Sequence, residues 1–409
     1  MRASYHIHRS SAGYRIAVAT LPRSECLSLS VHVPAGGRDD PAGKAGLAHF
    51  VEHMIFKGTG KRDARRISFE TEDLGASLNA FTSEDQTVYE ARGDAGSLAP
   101  LAEILADIVW HSQFPDDEIR LEHGVIAEEI VMYHESPADH IGDLMSAALW
   151  SPHPLGDPIS GTLDSIGRIR RDDLVGFSNA HHHHPELVIA VAGPHGPEEI
   201  VRLLDPLLPE LGGNAPGQSY ADPLDGPRHL REPRETAQVQ LALGFRCFGR
   251  RDPRRHAIRL LSTILGEGAS SRLFQSLREE RGLCYHIASD VVLLDDTGAL
   301  EIHSGLEHGA RDEALESIRR ELRQLSEAGP SDDELRRAKR LHASQMRAGL
   351  ETTAAHAAWA GESLLHHGEI REPAEVLREI EDVPAAELRE VVAEFLVEGR
   401  EALAEIHPA

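Results

Sequence analysis

The chain has 409 residues, of which 41% are hydrophobic and 5% aromatic, so it can build the cores of two or more globular domains. Its formal net charge of −25 argues against a nucleic-acid partner, because neutralising phosphates requires clustered Lys and Arg. No run of about 18 apolar residues and no apolar N-terminal leader is present, so we expect no membrane association. The 3 cysteines lack metal or redox spacing and favour reduced thiols in a cytoplasmic protein.

Hydrophobic periodicity predicts a mixture of strands and helices in the first half of the chain. Alternating apolar residues are typical of half-buried strands, and a repeat of 3 to 4 residues is typical of amphipathic helices. The predicted strands are residues 14–19, 27–33, 77–82, 86–91 and 187–192, and the predicted helices are the one around His49 and residues 67–74, 98–110 and 116–133.

The second half repeats this plan after a segment dense in Gly and Pro. That segment, residues 212–228, predicts a linker between a domain of residues 1–211 and one of residues 229–409. The predicted strands beyond it are residues 239–245, 285–293, 298–304 and 402–406, and the predicted helices are residues 256–265, 310–325, 331–365 and 375–395, the last broken near Pro384. We therefore predict an α+β fold of two structurally similar α/β-sandwich domains, each a mainly antiparallel sheet covered by helices, related by duplication.

The helix around His49 contains the pattern H-x-x-E-H. At about 100° per residue, His49, Glu52 and His53 share one face, while apolar residues occupy the other. Imidazoles four positions apart can converge on one ion at about 2.0–2.1 Å, the zinc–nitrogen distance. Glu52 is then placed to take a proton from a water on that ion, which makes the pattern a hydrolase signature. The alternative is a solvated polar helix face without a metal.

A second candidate donor lies on the predicted helix of residues 116–133. Glu122 and Glu129 share one stripe of that helix with Val125 and Ile126. A carboxylate on this stripe could reach a metal held by a neighbouring helix, although ordinary surface acids would give the same pattern. The corresponding helix of the second half, residues 256–265, carries no H-x-x-E-H, so only the first half retains metal chemistry.

Together these residues resemble the inverzincin metallopeptidases of the pitrilysin family, which includes insulysin and the mitochondrial processing peptidase. The resemblance is strongest to the β-subunit of that processing peptidase and its bacterial relatives. It covers essentially the whole chain and is carried by the residues around H-x-x-E-H, by the N-A-F-T strand at residues 79–82, and by Glu129.

The resemblance implies a role for each matching residue. His49, His53 and Glu129 match the ligands of one zinc ion per chain, Glu52 the general base, and Glu122 an acid that supports a ligand; the neighbouring Glu128 is the rival third ligand. The residues implied to bind an extended peptide are Asn79, Ala80 and Phe81. Arg278 and Tyr285, from the second half, match a pair that binds substrate and helps to stabilise the oxyanion.

The implied function is a zinc-dependent metalloendopeptidase that cuts extended peptides or unfolded segments, either in peptide turnover or in precursor or leader-peptide processing. Family members with four such domains form a closed chamber, so we expect a homodimer, or a heterodimer with a related chain, in which Arg278 and Tyr285 of one subunit reach the zinc of the other. Two alternatives are a catalytically silent structural subunit of a larger complex and a metal-binding or storage module that uses the 25 histidines.

Overall fold

A computed structural model describes residues 3–212 and 228–409. Within them, the chain forms two compact units. Unit one comprises residues 3–130, 158–212 and 347–372, and unit two comprises residues 131–157, 228–346 and 373–409. Apart from its two end residues, the predicted linker 212–228 lies outside the described residues, and the predicted domain limits stay a prediction.

The first half of the chain contributes strands β1 to β6 and helices α1 to α8. In chain order they are β1 Ser4–Arg9, β2 Arg15–Thr20, β3 Cys26–Val33, α1 Leu47–Ile55, α2 Ala64–Asp73, β4 Ser77–Thr82, β5 Thr87–Asp94, α3 Leu98–His111, α4 Asp116–Glu135, α5 Pro137–Trp150, α6 Leu163–Ile166, α7 Arg171–His181, β6 Val188–Gly193 and α8 Pro197–Leu204.

The second half contributes strands β7 to β11 and helices α9 to α14. They are β7 His229–Arg234, β8 Val239–Cys247, α9 Arg255–Gly266, the π-helical segment Phe274–Glu279, β9 Cys284–Leu293, β10 Gly298–Leu306, α10 Arg311–Ala328, α11 Asp332–Gly349, α12 Thr353–His367, α13 Pro373–Asp382, α14 Ala385–Phe395 and β11 Ala402–Pro408. No helix in the described ranges is both long and apolar enough to cross a membrane.

The two sheets share one topology, apart from the additional edge strand β1 in the first. The first has the order β1-β2-β6-β3-β5-β4 and the second β7-β11-β8-β10-β9. In each sheet one pair of strands is parallel, β2 with β6 and β7 with β11, and the remaining pairs are antiparallel. Helices α1 and α9 occupy corresponding positions in the strand order, each before a hairpin. The predicted α+β fold with two similar, mainly antiparallel sheets is confirmed.

Each sheet is covered by a helix from the opposite half of the chain. Helix α12 packs against β2, β3 and β6 of the first sheet, where Ala357 and Ala360 meet the small side chains of Ala17 and Ala190. Helix α5 packs in the same way against β8 and β11 of the second sheet. The opposite face of the first sheet packs against α1 and α3 in the main apolar core of unit one.

The two covering helices differ from the sequence predictions: one was predicted as part of a longer helix, and the other was not predicted. The helix predicted over residues 331–365 is two helices, α11 and α12, because the Thr352 hydroxyl accepts a hydrogen bond from the Ala355 N–H at 3.1 Å and so starts a new helix. Helix α5 was not predicted. Its start is visible in hindsight at Pro137, which occupies the first helical position.

Candidate metal centre

A buried carboxylate, that of Asp40, binds the N-terminus of the helix that carries H-x-x-E-H. Asp40 accepts hydrogen bonds from the backbone N–H groups of Gly46, Leu47 and Ala48 at 2.7, 3.1 and 2.8 Å. Burial raises the pKa of Asp40 to about 7, although these three hydrogen bonds oppose the rise. Gly46 has φ +93°, and a Cβ there would lie 2.6 Å from the carbonyl oxygen of Ser160. Both features fix the direction of α1, and sequence reasoning missed Asp40.

The two histidines of the motif converge as predicted from their spacing. The Nε2 atoms of His49 and His53 lie 3.2 Å apart. Two nitrogens bound tetrahedrally to one zinc ion at about 2.0–2.1 Å would be about 3.3 Å apart. Burial lowers the pKa of His49 to about 4, so this imidazole is neutral and has a lone pair to donate.

A carboxylate from α4 completes a three-donor group. Glu129 Oε1 lies 3.8 Å from His49 Nε2, and Glu129 Oε2 lies 3.7 Å from His53 Nε2. One ligand atom from each residue falls within 4.8 Å of the others. Glu128, the rival in the sequence, is exposed and outside this group. Two imidazoles and one carboxylate fit zinc and leave a fourth position for water or substrate.

Glu122 orients one of these histidines. Its Oε1 lies 2.8 Å from His53 Nδ1, and its Oε2 lies 2.6 Å from Lys57 Nζ. With the Nδ1–H of His53 bonded to Glu122, Nε2 is the nitrogen that can bind a metal, and it lies on the side of Glu129. Although burial opposes both charges, the pKa of Glu122 is lowered by His53 and Lys57, and that of His53 is raised by Glu122 and nearby carboxylates. Lys57 was missed, and its signal was its position four residues after His53.

Glu52 lies on the same face and is held by strand β4. The Thr82 hydroxyl donates a hydrogen bond of 2.6 Å to Glu52 Oε2. Burial raises the pKa of Glu52, and the hydrogen bond from Thr82 opposes this rise. A raised pKa strengthens a carboxylate as a base. Thr82 was named only as part of the strand, yet strand alternation places it with Leu78 and Ala80, on the side nearer the helix.

The predicted substrate strand is the edge of the first sheet. Strand β4 pairs with β5 and ends the strand order, so its other edge has no strand neighbour among the described residues. Asn79 and Phe81 are exposed, and Ala80 is half-buried on the opposite face. An open edge of this kind can accept an extended peptide as an added strand.

The remaining predicted residues meet each other in unit two. The Arg278 guanidinium lies 4.7 Å from the centre of the Phe274 ring and 4.8 Å from that of Tyr285. Arg278 belongs to the π-helical segment, and Tyr285 stands near the start of β9 with 77% of its surface exposed. Cation–π contacts of this geometry hold the arginine beside the tyrosine.

Family models match both halves of the chain. Residues 15–163 match the family described as Insulinase (Peptidase family M16), and residues 168–341 match the Peptidase M16 inactive domain. The chain is 32% identical over 389 residues to an uncharacterised zinc protease of Mycobacterium leprae, covering 94% of this chain and 87% of that protein. It is 30% identical over 404 residues to an uncharacterised zinc protease of Bacillus subtilis, covering 97% of both.

Solved structures show the same fold. The crystal structure of a protease from Helicobacter pylori superposes with a TM-score of 0.91 at 21% identity, covering 100% of both chains. A peptidase M16 inactive domain from Pseudomonas fluorescens gives a TM-score of 0.91 at 19% identity, covering 99% of this chain and 98% of the other. With both family models matched and relatives aligned over almost the entire length, the chain belongs to the insulinase-type peptidase family M16.

Proposed function

We propose that this protein is a zinc-dependent endopeptidase that hydrolyses peptide bonds in extended peptides or unfolded segments. The observation that carries the proposal is the convergence of His49, His53 and Glu129, whose donor atoms lie within 4.8 Å of one another, with Glu52 on the same helix face. The names of the relatives as zinc proteases support the same metal and the same chemistry.

In this proposal His49, His53 and Glu129 hold one zinc ion per chain, and Glu122 with Lys57 fixes the orientation of His53. When bound, zinc polarises the substrate carbonyl and makes water acidic enough to attack it near neutral pH. His49 is neutral, as metal ligation requires, and Glu122 accepts the Nδ1 proton of His53, so that Nε2 is the nitrogen that zinc would bind in exchange for its proton.

Glu52 moves the proton. It takes a proton from the attacking water and passes it to the amine of the leaving peptide, so one carboxyl group serves as base and then as acid. Thr82 donates to Oε2 of Glu52, and we assign Oε1 as the atom that carries the proton. The hydrogen bond holds the carboxylate in one orientation and favours Oε1 as the oxygen that reacts.

Substrate binding is assigned to the open edge of the first sheet. Asn79, Ala80 and Phe81 lie in β4, next to Thr82 and so close to Glu52. Backbone pairing with an added strand depends little on side-chain identity, so it suits extended peptides and unfolded segments. General peptide turnover and precursor or leader-peptide processing both need such a site.

Arg278 and Tyr285 are assigned to substrate binding and to stabilising the oxyanion. The contact between their side chains and the exposure of Tyr285 support this assignment, because both present donors that a carbonyl oxygen could use.

We further propose that two subunits, in a homodimer or a heterodimer with a related chain, enclose the reaction chamber. A protein that is monomeric by light scattering and fully active would contradict the two-subunit chamber. Three free cysteines support a cytoplasmic location.

The deciding experiment compares the wild-type protein with Glu52→Gln on a quenched-fluorescent peptide. We expect chelator-sensitive cleavage by the wild type and, in both proteins, one zinc per chain that depends on His49 and His53. Loss of the proton carrier should reduce the rate of Glu52→Gln at least about 100-fold while zinc is retained. Glu128→Gln is the matched control and should cleave normally. A zinc-loaded dimer without activity on peptides of varied sequence would favour a silent structural subunit instead.

A further inference from the structure

A second group of metal-binding side chains lies in unit two, where α4 ends and α5 begins. His134 is in the last turn of α4, His140 in the first turn of α5, and Glu232 in β7, at the edge of the second sheet. One ligand atom from each of the three lies within 4.8 Å of the others. None of them takes part in the peptidase site proposed above. We call this group the corner cluster.

His140 is oriented toward the other two residues. Its Nε2 lies 3.0 Å from Glu232 Oε2, and the centre of its ring lies 4.6 Å from that of His134. Its Nδ1 is buried and lies 3.9 Å from Asp143 Oδ2, with no closer polar partner among the described residues. Because a carboxylate can only accept, the Nε2–H of His140 donates to Glu232, and a metal ion bound at Nε2 would replace that proton.

A guanidinium supplies the positive charge of the corner cluster. Arg234 Nη2 lies 2.6 Å from His134 Nε2 and 2.7 Å from Glu232 Oε1, and Nη1 donates to the backbone carbonyl of His134. Arginine is always charged and has no acceptor atom, so His134 Nε2 must accept this hydrogen bond and is unprotonated. The guanidinium therefore contacts two of the three residues, His134 and Glu232, and Glu232 in turn contacts the third, His140.

We propose that His134, His140 and Glu232 form a second transition-metal site, which a zinc-type ion occupies by displacing the Arg234 guanidinium. Two imidazole nitrogens and one carboxylate suit Zn²⁺ and its first-row neighbours, whereas Mg²⁺ and Ca²⁺ prefer oxygen donors. A bound ion would tie the corner between α4 and α5 to strand β7, and it would do so whether or not the protein is a peptidase.

The test uses the full-length, untagged protein with the first site removed by His49→Ala and His53→Ala. Zn²⁺ is titrated in competition with a chromophoric chelator, so the readout is bound metal and not activity. We expect this protein still to bind one equivalent of zinc. Adding either His140→Ala or Glu232→Gln should reduce the affinity for that zinc at least tenfold. The conservative Glu232→Gln keeps the shape of the side chain, and a thermal melt confirms that each variant is folded. His308→Ala, an exposed histidine of the same unit, is the matched control and should leave the titration unchanged.

The variant Arg234→Met tests whether the guanidinium competes with zinc for the corner cluster or instead helps zinc to bind there. Removing the guanidinium should tighten zinc binding, because the ion no longer has to displace a resident charge. The proposal is overturned if no zinc binds once His49 and His53 are gone, if the zinc that binds is indifferent to His140→Ala and Glu232→Gln, or if Arg234→Met weakens the binding.

Discussion

The contact between Thr82 and Glu52 leads to a prediction about the pH dependence of cleavage. In Thr82→Val the side chain keeps nearly the same shape but loses the hydroxyl that donates at 2.6 Å to Glu52 Oε2. That hydroxyl stabilises the carboxylate relative to the carboxylic acid, and so it lowers the pKa of Glu52 against the rise caused by burial. Without it, the pKa of Glu52 rises further.

The size of the effect follows from the strength of this hydrogen bond. A hydrogen bond to a charged group contributes about 1.5–3 kcal/mol, and both partners here are partly exposed, so water replaces some of it and the lower end applies. Since about 1.4 kcal/mol corresponds to a tenfold change in a proton equilibrium, the acid limb of kcat/KM should move up by about one pH unit. Below that limb Glu52 is protonated and cannot act as a base, so the variant loses activity at a pH where the wild type is still active.

The assay is the pH profile of kcat/KM on a quenched-fluorescent peptide, with bound zinc measured at each pH. Thr87→Val is the matched control: the Thr87 hydroxyl lies 3.5 Å from that of Thr82 across the same hairpin, but it donates to the carbonyl oxygen of Ala35 and not to Glu52. Its acid limb should stay where it is in the wild type. An unchanged limb in Thr82→Val at full zinc occupancy would refute the assignment of Glu52 as the group whose protonation limits the reaction.

Two further predictions concern Glu122, the carboxylate that contacts His53, and α12, the helix that covers the first sheet. Glu122→Gln should weaken zinc binding about tenfold or more in a chelator competition, because it removes the negative charge that holds His53. Glu128→Gln is the control and should leave zinc binding unchanged. If both variants weakened it equally, Glu128 would again be a candidate for the third ligand. Gly361→Ala should lower the free energy of unfolding in urea by about 1–3 kcal/mol, because its Cβ would lie 2.1 Å from His32 Nε2 where α12 meets β3. Gly142→Ala, whose Cβ meets nothing within 4 Å in α5, should be neutral or slightly stabilising, and a loss of stability there would contradict this reading.

Most secondary structure was predictable because it depends on neighbours along the chain. Alternation identified β3 and β4, and helical periodicity identified α1 and α4. The break between α11 and α12 was missed because the apolar pattern continues across Thr352, where a single side-chain cap starts the new helix. A local polar contact of this kind leaves almost no signal in hydrophobic periodicity.

By itself, the sequence determined that His49, Glu52 and His53 share one face of a helix, because four residues return the chain to nearly the same direction. Only the tertiary structure showed Glu129, and not Glu128, beside the two histidines, and only it showed the Thr82 hydroxyl bonded to Glu52, since these contacts join segments far apart in the chain. It also decided that α5 and α12 pack against the sheets of the opposite halves. The apolar stripe of a helix indicates that this face is buried, but it does not specify which surface covers it. The covering surface is determined only by how the folded chain packs.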